Sequence, residues 1–394
     1  MNLPYYVSWC AQNNATTFNI KSVDGVKLII DDNKEIIDMT SISYQAHFGY
    51  NHPSIIKHIK NQLDTIPMSS PKAIIPGKNE TTEKLLEYLG LEEGKIFYTT
   101  SGAESVENAL KIARDVTKKK IILARKNSYH GATLGALTVT GDWRNPAHIT
   151  PSDWVVRIPE PNEVDSIKKI RNLIIEHRAD NIAAVILETI TGGNGVISAT
   201  DEWWQQIRSI CDEFNILLIL DEVVCGFERT GKPFGFHHYN LKPDIVCMAK
   251  GISGGMIPFG AVWTNNSIST YYDKNILCCG LTNYAHPLGL AALSGVLEIT
   301  SDQNFILNLR NIETIFLDEL NKLKEIKIVK EIRTQGMLCA LDLYKTIDSK
   351  IFLENGIYLV SQKDRIILAP PLIIDKDTLK IGMSKIGKVL KDNL

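Results

Sequence analysis

The 394-residue sequence has almost no net charge: 43 lysines and arginines against 45 acidic residues leave a formal −2 at neutral pH. That balance gives no electrostatic case for nucleic acid or an anionic membrane as partner. No apolar run approaches the twenty or so residues a membrane helix needs; stretches such as residues 216–220 have the length of a core strand. The start, Met1-Asn-Leu-Pro-Tyr-Tyr, lacks a basic segment followed by an apolar one, so no secretion signal is read. The seven cysteines are odd in number and include no CxxC pair, which argues against a zinc knuckle or a disulfide framework. Reduced thiols and a cytoplasmic location are expected. No internal repeat and no low-complexity tract is found.

What is present is the composition of an ordinary globular chain, 44% hydrophobic and 22% charged, which excludes a disordered or fibrous protein. Its length calls for two domains, or one large domain with an appendage. A small β-meander is expected over 26–30 and 35–39, and a helix opens at His52-Pro53. From Glu80 onward helices and short apolar strands alternate: helix to 89, strand 96–100, helix 104–115, strand 121–124, then strand 183–187, helix 201–214, strands 216–220 and 244–248. Such alternation predicts an α/β fold with a mainly parallel sheet covered on both faces. After His286 come long helices (288–300 and 305–323), strands within 327–343 and a closing helix from Asp377. We expect a large α/β domain over 44–284 and a small α+β domain built from 1–43 and 285–394.

Four features fall at predicted strand ends, where open α/β sheets hold their ligands. Thr99-Thr100-Ser101-Gly102-Ala103-Glu104 runs from a strand through small residues into a helix, which aims free N–H groups and the helix dipole at one point: an anion site, or simply a Ser-capped helix. Asp221-Glu222 ends a buried strand in two carboxylates, which need a cation, a protonated ring nitrogen, a metal, or a pairing with Arg229 or Arg208. Lys250-Gly251 ends another strand ahead of Ser253-Gly254-Gly255. Desolvation there would lower the amine's pKa and make it nucleophilic, whereas most strand-end lysines reach out to solvent. Tyr129-His130-Gly131 offers an aromatic plate or an ordinary core ring. A fifth pattern, Gly226 to Lys232, fits GxxxxGK. Pro233 denies it the hydroxyl that a magnesium-binding P-loop requires, so no nucleotide triphosphatase is read.

These segments together resemble the class III aminotransferases, pyridoxal 5'-phosphate (PLP) enzymes of the aspartate-aminotransferase-like fold, fold type I. Residues 218–231 and 243–255 are similar to the family's long signature, and the likeness runs from Asp24-Gly25 and Gly49-Tyr-Asn-His-Pro53 to Ala369-Pro-Pro-Leu372. The resemblance implies that Lys250 forms the Schiff base and moves the proton, and that Asp221 pairs with the ring nitrogen and keeps it protonated. It implies that Tyr129 and Val223 flank the ring, that Gly102 and Ala103, with Ser101 nearby, hold the phosphate, and that Glu188 lies toward the ring hydroxyl. The segment Gly280-Leu-Thr282 is similar to one that reaches across a homodimer, so Thr282 would serve the neighbouring subunit's phosphate.

Departures from the family pattern narrow the reaction. Val224 stands where Gln is frequent, Thr189 where Pro is usual, and Cys279, Leu281 and Asn283 replace His, an aromatic and Tyr. Gly193 and Ile367 occupy the places of a Glu–Arg pair that glutamate-exchanging members use. Val224 and Cys225 are closer to the branch that works on ω-amino acids or amines with pyruvate. That branch carries a mobile Arg where this chain has Val360. Arg365, or else Lys363, is the candidate for the carboxylate, and Trp9 and Tyr44 are candidate pocket aromatics. Amino transfer from an amine or ω-amino acid to a keto acid such as pyruvate by a ping-pong route is therefore expected, with an aminomutase, a racemase or a non-catalytic cofactor-binding protein as alternatives.

Overall fold

A computed structural model describes residues 3–148 and 151–394. At its centre lies a seven-stranded sheet whose strands we number in chain order: β1 (Gly94–Thr99), β2 (Ile121–Arg125), β3 (Val155–Ile158), β4 (Ile182–Glu188), β5 (Leu217–Asp221), β6 (Ile245–Met248) and β7 (Gly260–Asn265). Their spatial order is β1-β7-β6-β5-β4-β2-β3. Only β7 runs antiparallel to its neighbours β1 and β6; the remaining pairs are parallel. β3 and β7 were not expected, nor was helix Ser166–Glu176. β3 is short and carries Arg157 among its valines, which blurs the apolar run.

Alternate residues of β4 show why the sheet is covered twice. Ala184 and Ile186 pack with Val106, Ala109, Leu110 and Ala113 of helix Gly102–Thr117. Val185 and Leu187 pack on the other side with Trp203, Trp204, Ile207 and Ile210 of helix Asp201–Phe214. Each such aliphatic removed from water contributes roughly 1.5–3 kcal/mol. Helix Asp201–Phe214 begins where Thr200 accepts a hydrogen bond from the Trp203 amide and ends at Asn215 in a left-handed conformation.

The chain ends form two further sheets. Ile20–Asp24, Lys27–Ile30 and Glu35–Asp38 make a meander that Ile357–Tyr358 joins in parallel. Val329–Gln335, Leu338–Leu343, Arg365–Leu368 and Val360–Gln362 form an antiparallel sheet. Helices Gln303–Lys324 and Lys376–Asp392 pack in this part, whereas helix Pro287–Ser301 lies against helices Pro53–Thr65 and Lys78–Leu89 and the turn after Lys250. Among the described residues no helix is long and apolar enough to cross a membrane, and no cluster of His, Cys, Asp and Glu could hold a metal ion.

Candidate active site

The C-terminal ends of β4, β5 and β6 lie side by side. Glu188 is in register with Asp221, and Asp221 with Cys247, so two carboxylates and Lys250 come from three adjacent strands. Lys250 itself has φ +48°, a left-handed backbone that an L residue adopts at a cost of about 1–2 kcal/mol. The turn is closed by Gly255 N–H donating to the Lys250 carbonyl at 3.2 Å. Gly251 is obligatory there, because a Cβ would sit 2.7 Å from Phe227 Cβ and 3.1 Å from the His47 ring. Burial pushes the Lys250 amine below its ordinary value against the pull of Asp221 and Glu188, and the charge of Arg144 pushes the same way as burial.

Asp221 is almost wholly buried, and its partner is neither Arg229 nor Arg208. His130 Nδ1 lies 2.8 Å from Oδ2, and the Val223 amide donates to Oδ1 at 3.1 Å. Arg229 donates instead to the carbonyls of Met337 and Pro370 and to Ser41 Oγ. Arg208 pairs with Asp212 and Asp244. Glu222 points away from Asp221 and accepts hydrogen bonds from Thr189 Oγ1 and from the Gly235 and Phe236 amides. Thr189, unusual by the family pattern, thus has a definite job. Glu188 accepts from the Tyr129 amide at 3.1 Å and the Gly192 amide at 2.9 Å, and burial raises its pKa.

Ser101 caps helix Gly102–Thr117 by accepting from the Glu104 amide at 3.2 Å, which leaves the Gly102 and Ala103 amides as unpaired first-turn donors. A Cβ on Gly102 would lie 2.9 Å from Val223 Cγ1 and 3.4 Å from Ala249 Cβ. The helix start therefore sits against the β5 turn and the residue before Lys250. Gly131, at φ +131°, packs against Ala103, so the Tyr129 loop closes on the same place.

Tyr44 arrives by a strained route. Ser41, Ile42, Ser43 and Tyr44 all have positive φ, between +43° and +70°. Asp38 holds this left-handed turn by accepting from the Thr40 and Ile42 amides at 2.8 and 2.9 Å, while Ser41 Oγ donates to the Ala369 carbonyl at 2.6 Å. The result sets the Tyr44 ring 5.1 Å from Lys250 Nζ.

Other expected residues lie elsewhere. Thr282 is exposed, and Gly280 two residues before it has nothing within 4 Å of a Cβ position. Trp9, by contrast, stays near the site, packed edge-on against Trp143 with centroids 5.8 Å apart, its ring lying against the Arg144 guanidinium as that of Tyr129 does. Arg365 is committed to Asp342 through Nε and Nη2 (2.5 and 3.0 Å) and to the Asn194 carbonyl, and Lys363 is an exposed turn residue. The GxxxxGK stretch forms turns, with Lys232 donating to the His237 carbonyl and no α-helix following. Sequence reasoning gave no role to His130, although its neighbour Tyr129 was singled out. It also overlooked Arg144, whose signal was the Trp143 beside it.

The family model for "Aminotransferase class-III" matches residues 10–390. The chain is 28% identical to an omega-aminotransferase of Caulobacter vibrioides, covering 94% of this chain and 93% of that one. It is 33% identical to an acetylornithine aminotransferase of Clostridium acetobutylicum, over 89% and 90% respectively. Among solved structures, taurine:2-oxoglutarate aminotransferase from Bifidobacterium kashiwanohense, in complex with PLP and glutamate, superposes with a TM-score of 0.93 at 30% identity over 99% and 96% of the two chains. With a lysine, two carboxylates and a capped helix gathered at the ends of one sheet, the chain belongs to the class III aminotransferases, PLP-dependent transferases of fold type I.

Proposed function

We propose that this enzyme moves an amino group from an amine or an ω-amino acid to a keto acid, with pyruvate as acceptor, by a ping-pong mechanism, and that 44–284 forms the cofactor domain while 1–43 and 285–394 form the second. The observation that carries the reading is the half-buried Lys250 amine, depressed in pKa, between the Tyr44 ring and the Glu188–Asp221 pair. Support for the donor class comes from Gly193, which has no side chain to reach across the site, and from Ile367, which is buried in its strand. An acid–arginine switch has no members at those two places.

The residues fit PLP on their own chemistry. Two free amides and the positive end of a helix dipole, starting at a glycine pressed against Val223, suit its phosphate. Bound PLP supplies a carbonyl carbon for the migrating nitrogen and a ring that takes up the electron pair released at the donor carbon. Asp221, oriented by His130 in a dry setting, would keep a proton on the ring nitrogen. Lys250 Nζ, more easily deprotonated than a solvated lysine, would take the donor's α-proton and return it on the opposite side of the reaction. Tyr129 and Val223 would hold the ring flat, Glu188 would steady the Tyr129 backbone, and Ser101 would fix the helix start. A homodimer is part of the same reading, with the exposed Thr282 segment serving the neighbouring site and Trp9 and Tyr44 bordering the substrate.

Lys250→Ala tests it directly. The variant is expected to lose amino transfer from every donor in a panel of amines and ω-amino acids, together with the visible absorbance of covalently held cofactor. Retention of that band would overturn the lysine's role. Deuterium exchange at the donor carbon without net transfer to any keto acid would replace transamination by racemase or mutase chemistry.

A further inference from the structure

We propose that Arg144 binds the carboxylate of the acidic substrate, using its Nε–Nη2 edge, with Asp142 as a resident counter-anion and Trp9, Trp143 and Tyr129 as the walls of the subsite. This rests on the transaminase reading above and adds the residue that selects the acid.

Among the described residues no other arginine nearby keeps both Nε and Nη2 free: Arg125 and Arg229 also have a buried, unpartnered Nε, but Arg125 Nη2 donates to the Glu188 carbonyl and Arg229 Nη2 to Ser41 Oγ. Arg365 is tied to Asp342 and Asn194, shares Asp342 with Arg333 (2.7 Å), and opens on a separate surface groove of about 400 Å³ with Glu331, Arg333 and Thr334. Arg229 donates only to carbonyls and Ser41, and burial pushes its pKa down to about 9. Arg157 serves four main-chain carbonyls, those of Arg125, Thr138, Val139 and Thr140.

Arg144 differs from all of them. Its Nη1 donates to Asp142 Oδ2, while Nε is buried without a partner and Nη2 makes no hydrogen bond among the described residues. Nε–H and Nη2–H are the parallel pair that matches the two oxygens of a carboxylate. Three aromatic rings surround the guanidinium, with centroids at 4.5 Å (Tyr129), 4.8 Å (Trp143) and 5.2 Å (Trp9) from Cζ. Trp9 and Trp143 are themselves about half exposed, so the rings shield one side of a bound acid from water, and they offer apolar contact to a donor that carries no acid. The cage belongs to the catalytic centre. The Tyr129 amide is bonded to Glu188, Asn194 Nδ2 reaches Asp142 at 3.3 Å from the loop that follows Glu188, and the charge of Arg144 acts on both Lys250 and Tyr44. Asp142, accepting from the Arg144 amide at 2.9 Å as well as from its side chain, holds the arginine in place while no acid is bound.

The test uses cofactor-loaded enzyme and two non-reacting probes, propionate and its neutral isostere propionamide, titrated by the change in cofactor absorbance. The native enzyme is expected to favour propionate. Arg144→Gln should weaken propionate roughly 10- to 100-fold, the loss of a charge-assisted bidentate contact, with little change for propionamide. Arg144→Lys should fall between. Asp142→Asn should tighten propionate several-fold by removing a competing anion, and this opposite sign keeps the idea testable if Arg144→Gln fails to load cofactor. Arg365→Gln should shift propionate affinity less than about threefold. The proposal is overturned if propionate and propionamide bind native enzyme equally, if Arg144→Gln keeps native propionate affinity, or if Asp142→Asn weakens it. Failure of all amino transfer would sink the transaminase reading while leaving these titrations readable.

Discussion

Between pH 5 and pH 8 the stability of this enzyme should fall because of one buried acid, Glu222. Its carboxyl is nearly inaccessible, sits next in sequence to Asp221, and burial pushes its pKa up from 4.5 to about 7. A raised acid pKa means that the folded chain holds the proton more tightly than the unfolded one. The resulting contribution favours folding below about 4.5, is lost as pH climbs through that window, and is gone above about 7. At roughly 1.4 kcal/mol per pH unit this amounts to about 3 kcal/mol. Glu222→Gln keeps the shape but cannot ionise. Any damage to the contacts with Thr189, Gly235 and Phe236 weakens the variant similarly at every pH, and so cancels when two pH values are compared. Urea unfolding of the holoenzyme, followed by tryptophan fluorescence at pH 5 and pH 8, gives the readout. The native enzyme's advantage over the variant should be about 2.5 kcal/mol larger at pH 5 than at pH 8, because pH 5 lies just above the unfolded pKa. If the two proteins run parallel to within roughly 0.5 kcal/mol, Glu222 is ionised in the fold at both pH values and the reasoning fails.

Three further outcomes follow from the geometry. Gly102→Val collides with Val223 and shifts the helix start that carries the two free amides, so cofactor affinity should drop at least tenfold by equilibrium dialysis while secondary structure by circular dichroism is kept. His130→Phe removes the side-chain partner of Asp221 in a dry site; kcat should fall about 10- to 100-fold and the pH–rate profile should shift, whereas an unchanged profile would mean that Asp221 needs no support. Gly289→Ala gains about 1 kcal/mol of helix propensity yet places a Cβ 2.1 Å from the Phe259 ring, itself stacked on Tyr98, so the melting temperature should fall rather than rise.

The amino-acid sequence alone determined the alternation of strands and helices, and with it the places where chemistry would sit. Helix Asp201–Phe214 was readable because Thr200 caps it and its apolar residues recur at helical spacing; the ends of β5 and β6 were readable because an apolar run stops at Asp221 and just short of Lys250. Such signals are local: each depends on neighbours within a turn or two of chain. The tertiary structure alone decided which long side chains meet. Arg365 is drawn off by Asp342, 23 residues away in sequence, and Asp221 takes His130 from a loop 91 residues earlier. Arg144, unmarked by any motif, stands among three rings that include Trp9 from the first residues of the chain. A guanidinium or a carboxylate can reach several partners of equal chemical merit, and only the fold's placement of loops brings one within hydrogen-bonding distance while burial makes the choice matter.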